Sequence, residues 1–178
     1  MKTIKYFSIF FILLLSGEVS AQQISSAEVQ VAGLTCSMCS QATERSLRSL
    51  DFIGAIKPDL NRNVFVIDFK KDKSASIDLI RKKVQDAGFS IANMTAVFKF
   101  NNLKVDEKGK AAAGADVYQF LNAKGKTLNG EVKASVLDKN FVSGAVFKQK
   151  AAQFNAESYV SGYGMVDGRK TRIFHLSI

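Results

Sequence analysis

Two cysteines three positions apart are the residues of this sequence best suited to chemistry. Cys36 and Cys39 are the only cysteines in the chain, and Ser37 and Met38 separate them. Thiolates are soft ligands, so a pair of them suits a soft ion that takes few ligands, Cu(I) first and Ag(I) or Hg(II) by the same argument. A structural Zn(II) site needs four ligands, and the sequence offers no third cysteine and no nearby histidine. The spacing therefore predicts a Cu(I) site, with Zn(II) less favoured.

The same pair also permits thiol–disulfide chemistry, which is the alternative function. In an oxidising compartment two such thiols can form a disulfide or exchange with one. A thioredoxin-like site would place an aromatic residue before the first cysteine and a cis-proline beside the site. Here Thr35 precedes Cys36, and the chain's one proline, Pro58, falls in a predicted edge strand. Metal binding is therefore favoured over redox activity.

The first 21 residues have the organisation of a secretory signal peptide. Lys2 and Lys5 are followed by an apolar run at residues 6–15, and Val-Ser-Ala at 19–21 places small side chains where signal peptidase cuts. The apolar run is shorter than the roughly 20 residues that a membrane-spanning helix requires. We therefore expect removal of residues 1–21 and a periplasmic or secreted mature protein.

The next part of the chain, residues 26–98, alternates between the periodicities of strands and helices. Apolar alternation and apolar spacings of three or four predict the order βαββαβ, with strands at 28–32, 54–60, 64–69 and 89–98 and helices at 37–50 and 77–87. Ser74 or Ser76 can cap the second helix. This order packs two helices on one face of an antiparallel sheet, so the predicted fold class is α+β, with a ferredoxin-like sandwich.

The loop after the first predicted strand carries a recognisable motif, Gly-x-Thr-Cys-x-x-Cys, at Gly33, Thr35, Cys36 and Cys39. It puts Cys39 at the N-terminus of the first helix, where free N–H groups favour a thiolate. The motif resembles that of the heavy-metal-associated domain family, which includes copper metallochaperones, domains of copper-transporting ATPases and periplasmic mercury-binding proteins. The resemblance covers residues 26–98 only and extends to Glu44, Leu47, Gly54 and Ala87-Gly88-Phe89.

The resemblance implies roles for the residues in and around this loop. In the family the two cysteines bind the metal, and an aromatic residue or a lysine after the second helix lies near the site, a position held here by Phe89. Leu34 stands where the family has a methionine that plugs the core, and Thr43 where it has an apolar residue. Met38 could add a thioether ligand but is more ordinarily exposed to solvent. The implied function is metal transfer, sequestration or sensing, with a mercury-binding resistance protein as a weaker alternative.

The rest of the chain is β-rich and has no recognisable family. We expect a domain at residues 22–100 that folds by itself, a linker or extended strand at 101–115, and a β-rich module of unknown function at 116–178. Strands at 116–122, 126–137, 158–166 and 169–178 with a helix at 141–154 are compatible with a small barrel of OB type.

The charge of the chain is concentrated in this second part. The whole chain has 25 Lys+Arg against 16 Asp+Glu, and residues 99–178 hold 13 basic and 7 acidic residues, a net charge of +6. We therefore expect a partner with an acidic surface, an exported or membrane protein that receives or donates metal, or else contact with the anionic face of a membrane. Nucleic acid is not expected, because an exported protein rarely meets it.

The sequence shows no arrangement typical of an enzyme. It contains no glycine-rich phosphate loop and no recognisable Ser/His/Asp set, so we expect no catalytic activity. The single histidine, His175, lies in the last predicted strand and is expected to be an ordinary surface or partly buried residue, not a ligand.

Overall fold

The computed structural model of the protein describes residues 23–154 and 156–178. The predicted signal peptide at 1–21 lies outside the described residues. Within the described ranges, no helix is long and apolar enough to cross a membrane.

The first half of the described chain has the predicted βαββαβ order. Its elements are β1 (Gln23–Ala32), α1 (Ser37–Arg48), β2 (Ile53–Asp59), β3 (Val64–Phe69), α2 (Ile77–Asp86) and β4 (Ser90–Lys104). The strands lie in the order β2-β3-β1-β4 and all pair antiparallel. The predicted α+β, ferredoxin-like fold is confirmed for this half.

The two helices begin and pack as their sequences predict. Ser76 caps α2, because its side chain accepts a hydrogen bond from the N–H of Leu79 at 3.3 Å. Ile77, Ile80 and Val84 of this helix are buried, at the three- and four-residue spacing of one face. This buried face packs α2 against the sheet, and the residues that follow the C-terminus of α2 are thereby also placed against the sheet.

Thr43 is fully buried in α1, where the resemblance leads one to expect an apolar residue. Its hydroxyl donates to the carbonyl of Cys39 one turn earlier, at 3.0 Å. The polar group is therefore satisfied inside the helix, and a threonine is tolerated in the core at this position.

The second half adds five strands and two short helices: β5 (Lys110–Ala113), β6 (Asp116–Phe120), β7 (Thr127–Val136), α3 (Gly144–Phe154), α4 (Glu157–Ser161), β8 (Tyr163–Val166) and β9 (Arg169–Ser177). The segment predicted as a linker or extended strand, 101–115, holds the last residues of β4 and all of β5. Helix α3 lies within the predicted helical segment at 141–154.

One sheet joins the two halves of the described chain. Its order is β2-β3-β1-β4-β7-β9-β6-β5, with β8 pairing only with β9. Strand β4 is shared, since it pairs with β1 on one side and with β7, from Thr95↔Ser135 to Lys104↔Thr127, on the other. The sheet is open, with β2 and β5 at its edges, so the small barrel considered from sequence is not formed.

An aromatic cluster fills the concave side of the second half. The ring of Phe98 on β4 lies 5.7 Å from that of Tyr118 on β6, and Phe100 lies 6.0 Å from Phe120. These rings can meet only if the sheet curls between β4 and β6, which are separated by two other strands. The core of the described residues therefore runs continuously through both halves.

Candidate metal centre

The metal-binding loop leaves β1 through a backbone conformation that favours glycine. Gly33 has φ +87°, in the left-handed region that residues with a β-carbon rarely adopt. The next side chain, Leu34, is buried as the predicted core plug, whereas Thr35 and Cys36 are exposed. The loop is thus anchored by Leu34 and presents the first cysteine to solvent.

Cys36, and not Cys39, caps the first helix. Helix α1 begins at Ser37, and Cys36 has extended backbone angles of φ −145° and ψ 157°. The N–H of Cys39 donates to the sulfur of Cys36 at 3.3 Å, as it would to a serine or aspartate oxygen at a helix start. The sequence predicted that Cys39 takes the favoured place at the N-terminus. The helix begins at Ser37, as predicted, so the cap position belongs to Cys36 and Cys39 lies in the first turn.

The two thiols differ in acidity because of this arrangement. A hydrogen bond from the Cys39 thiol, followed by the backbone N–H of Cys39, lowers the pKa of Cys36 below its usual value. The same thiol–sulfur hydrogen bond, followed by burial and by repulsion from the charge on Cys36, raises the pKa of Cys39. The first proton to leave is therefore that of Cys36, and the proton of Cys39 is the later of the two to leave.

The cysteine pair has no further ligand of the usual kinds around it. Among the residues that the structure describes, no three His, Cys, Asp or Glu side chains come together as a metal site would require. Met38 points into solvent, with 76% of its surface exposed. Two sulfurs, one exposed at Cys36 and one half-buried in the first turn of α1 at Cys39, suit an ion of low coordination number and leave Zn(II) two ligands short.

Phe89 lies beside the loop, where the resemblance places it. Ala87 caps the C-terminus of α2, Gly88 adopts φ +88°, and the N–H of Phe89 donates to the carbonyl of Val84 at 3.1 Å. The ring of Phe89 is half-buried, and its Cδ1 atom lies 3.6 Å from the position that a β-carbon on Gly33 would take. The end of α2 therefore packs against the start of the metal-binding loop.

His175 is fully buried, which corrects the expectation of a surface or partly buried residue. Its Nδ1 lies 3.1 Å from a carboxylate oxygen of Asp138, and its Nε2 lies 3.1 Å from the hydroxyl of Ser158. A Ser/His/Asp set is thus present in the structure although none is recognisable in the sequence. The three residues are brought together by long-range pairing, since Asp138 and His175 are 37 positions apart.

This set ties strands and helices together and offers no exposed nucleophile. Ser158 is buried, and the rings of Phe154 and Tyr159 meet His175 edge-on at 5.0 and 5.1 Å. Asp138 also accepts from the backbone N–H of His175 at 2.7 Å, so its carboxylate is part of the sheet's hydrogen bonding. A substrate cannot reach the Ser158 hydroxyl through this packing, and the arrangement acts as a structural network.

Arg172 extends the network to the first half of the chain. Its guanidinium donates to Asp138 at 2.8 Å and to Asp78, at the start of α2, at 3.0 Å. None of these three residues, Asp78, Asp138 and Arg172, was identified from the sequence, because nothing in their local pattern distinguishes them from other polar residues of strands and helix ends.

Comparison with known families places a heavy-metal-associated domain at residues 28–90. This confirms the family resemblance for that part of the chain. Such a domain is a metal-binding module and not an enzyme, which agrees with the expectation drawn from the sequence. A comparison with curated proteins found no match.

Part of this chain is also similar to solved structures of metal-handling proteins. The CopZ metallochaperone is 19% identical, over 38% of this chain and 100% of that one, with a TM-score of 0.36. The yeast copper transporter domain Ccc2a is 25% identical, over 36% of this chain and 88% of that domain, with a TM-score of 0.33. A copper-binding domain from HMA7, a P-type ATPase, is 26% identical, over 38% of this chain and 93% of that domain, with a TM-score of 0.34.

Proposed function

We propose that this protein is exported and carries Cu(I) on Cys36 and Cys39, taking it from one protein and giving it to another. The observation that carries the proposal is the cysteine pair itself, with Cys36 exposed and Cys39 half-buried. Cys36 caps α1 and has a lowered pKa, Cys39 lies one turn away, and no third ligand group accompanies them among the described residues.

Transfer follows from the low coordination number. An ion held by only two sulfurs, with that of Cys36 exposed, leaves room for a sulfur of the partner to bind before either cysteine dissociates. Loading releases the protons that the thiols still hold, and the proton on Cys39 is the later of the two because its pKa is raised. A buried or four-ligand site would block this exchange.

The predicted signal peptide at residues 1–21 supports export, and the 23 basic against 15 acidic residues from residue 22 onward, a net charge of +8, support a partner with an acidic surface. We infer that such a partner, exported or in the membrane, donates or receives the ion. Sequestration and sensing use the same two sulfurs but require no such partner.

Competition with a Cu(I) chelator tests the metal site. The reduced chain from residue 22 onward is expected to take up one Cu(I), and Cys36→Ser or Cys39→Ser is expected to abolish tight uptake. Met38→Leu is the matched control, because it removes the nearby thioether and keeps both thiols. Stoichiometric uptake by either serine variant would refute a two-sulfur site, and a large loss in Met38→Leu would show a third sulfur.

Thiol–disulfide exchange is the second candidate, because the lowered pKa of Cys36 is also what an attacking thiol needs. Insulin reduction by the metal-free dithiol separates the two functions. Under the metal-carrier proposal the rate stays near that of an unstructured dithiol peptide. A rate comparable with that of a thioredoxin would favour the redox function.

A mercury-binding role is the weaker alternative. It requires that the protein transfer Hg(II) to its partner even when Cu(I) is present as a competitor.

A further inference from the structure

Five lysines gather at the end of the sheet farthest from the metal-binding loop. Backbone hydrogen bonds hold their segments together: the N–H of Val105 donates to the carbonyl of Lys126 at 2.9 Å, and that of Phe120 to the carbonyl of Gly109 at 2.7 Å. The turn after β4, strand β5 and the turn before β7 therefore meet in one place. We refer to the five side chains there as the lysine tip: Lys104, Lys108, Lys110, Lys124 and Lys126.

The positive charge of the lysine tip is not neutralised by the protein. Lys110 is half-buried and the other four lysines are exposed, and none of the five forms an ion pair with a residue in the described ranges. Asp106 lies among them, but one of its carboxylate oxygens accepts from the backbone N–H groups of Lys108 and Lys110, at 2.8 and 2.7 Å. When Asp106 and Glu107 are counted with the five lysines, the net charge of this region is +3.

The surface around the tip lacks the apolar side chains that anchor a stable protein interface. Leu103 and Leu128, which face each other across β4 and β7, are buried, and no residue from 103 to 128 is an exposed large hydrophobic. Protein interfaces obtain most of their energy from aromatic residues and arginine, and lysine is depleted in them. A surface with lysines and no apolar anchor is instead suited to a diffuse layer of negative charge.

We propose that the lysine tip docks the protein on the anionic headgroups of a lipid bilayer. Each lysine near such a surface contributes a favourable electrostatic term, and clusters of this size are typical of protein surfaces that bind anionic lipids. The proposal does not depend on which ion the cysteines bind.

Docking through the tip would hold the metal-binding loop away from the bilayer. Strand β4 begins at Ser90, next to Phe89 and the loop, and ends at Lys104 in the tip. At about 3.3 Å per residue, this strand separates the metal-binding loop from the lysine tip by up to about 45 Å. The cysteines would then face a partner that projects from the membrane or moves free of it.

Vesicle co-sedimentation tests the proposal on the chain from residue 22 onward. The vesicles are phosphatidylcholine alone, or phosphatidylcholine with about a third phosphatidylglycerol, at low and high salt. The test variant carries Lys→Gln changes at all five tip positions. The matched control loses the same five charges from exposed lysines elsewhere: Lys57, Lys82, Lys139, Lys148 and Lys170.

We expect binding to the anionic vesicles only, with at least about a tenfold loss in high salt and in the tip variant, and a much smaller loss in the control variant. Unchanged circular dichroism and Cu(I) uptake would show that the tip variant remains folded. Absent binding of the unaltered chain, or equal losses in both variants, would overturn the proposal. So would a tip that fails to bind vesicles but is required for retention on polyglutamate, since that assigns it to an acidic protein.

Discussion

Arg172 of β9 and Asp78 of α2, 94 positions apart, form an ion pair with a nitrogen–oxygen distance of 3.0 Å. Through the same guanidinium, Asp78 is linked to Asp138, whose side chain is almost completely buried. Helix α2 therefore contacts the metal-binding loop at one end, through Phe89, and the second half of the chain at the other. The two halves are connected through side chains as well as through the shared strand β4.

Arg172→Met is expected to destabilise the protein by about 3 kcal/mol, because it leaves the carboxylate of Asp138 buried without its cation. Urea unfolding followed by circular dichroism measures this change. Asp78→Asn should cost less, since Arg172 keeps Asp138 as a partner. Lys82→Gln removes an exposed ion pair with Asp86 on the same helix and should change stability by less than about 1 kcal/mol. Equal effects of all three substitutions would contradict a buried network.

A fragment of residues 22–100 is expected to fold but to be clearly less stable than the chain from residue 22 onward. Its βαββαβ order forms its own sheet, yet Phe98 and Phe100 lose the rings of Tyr118 and Phe120 that cover them. The fragment also exposes the side of β4 that pairs with β7, so it should self-associate at high concentration. Unfolding midpoints and sedimentation measure both effects. An identical midpoint would mean that the second half contributes nothing to the core of the first.

Cys36 is expected to react with iodoacetamide before Cys39 in the reduced, metal-free protein. Its pKa is lowered and that of Cys39 is raised, so at neutral pH the thiolate is mostly on Cys36. Peptide mass spectrometry after a short exposure gives the order of reaction. Cys39→Ala removes the thiol that donates to Cys36 and should slow alkylation of Cys36 at the same pH. Preferential labelling of Cys39 would show that the helix-capping arrangement does not form in solution.

The apparent affinity for Cu(I) is expected to rise with pH and to level off only under alkaline conditions. Both thiols must lose a proton to bind, so affinity increases until the pH exceeds the pKa of the last thiol to ionise. That thiol is Cys39, whose pKa is raised, and the plateau therefore comes above the ordinary cysteine value. Chelator competition at a series of pH values measures the curve. A plateau already reached at neutral pH would contradict the raised pKa of Cys39.

The first half of the fold was predictable because its signals are local. The spacing of Ile77, Ile80 and Val84 and a serine cap define α2 without reference to any other part of the chain. The start of α1 at Ser37 was predicted as well. The sequence did not indicate that Cys36, the residue before it, caps the helix with its sulfur, because Ser, Thr, Asp and Asn are the residues that usually hold this position.

The second half was predictable only as a set of elements. Its arrangement depends on which strands pair, and β7 meets β9 through the pairs Ser135↔Ser177 and Val136↔Leu176 within the described residues. Such a short contact leaves no periodic signal in either strand. The same pairing brings His175 to Asp138, so the buried network could not be predicted before the topology was known.

The place of β9 in the sheet has a consequence for how the chain is made. It is the last strand in the sequence, yet it lies between β7 and β6 and pairs with β6 in parallel. Strands β5 and β6 therefore pair only with each other until residues 169–177 have been synthesised. Until then the edge of β6 that pairs with β9 is exposed, and a chain cut short before Arg169 would lose the strand that joins β5 and β6 to the sheet.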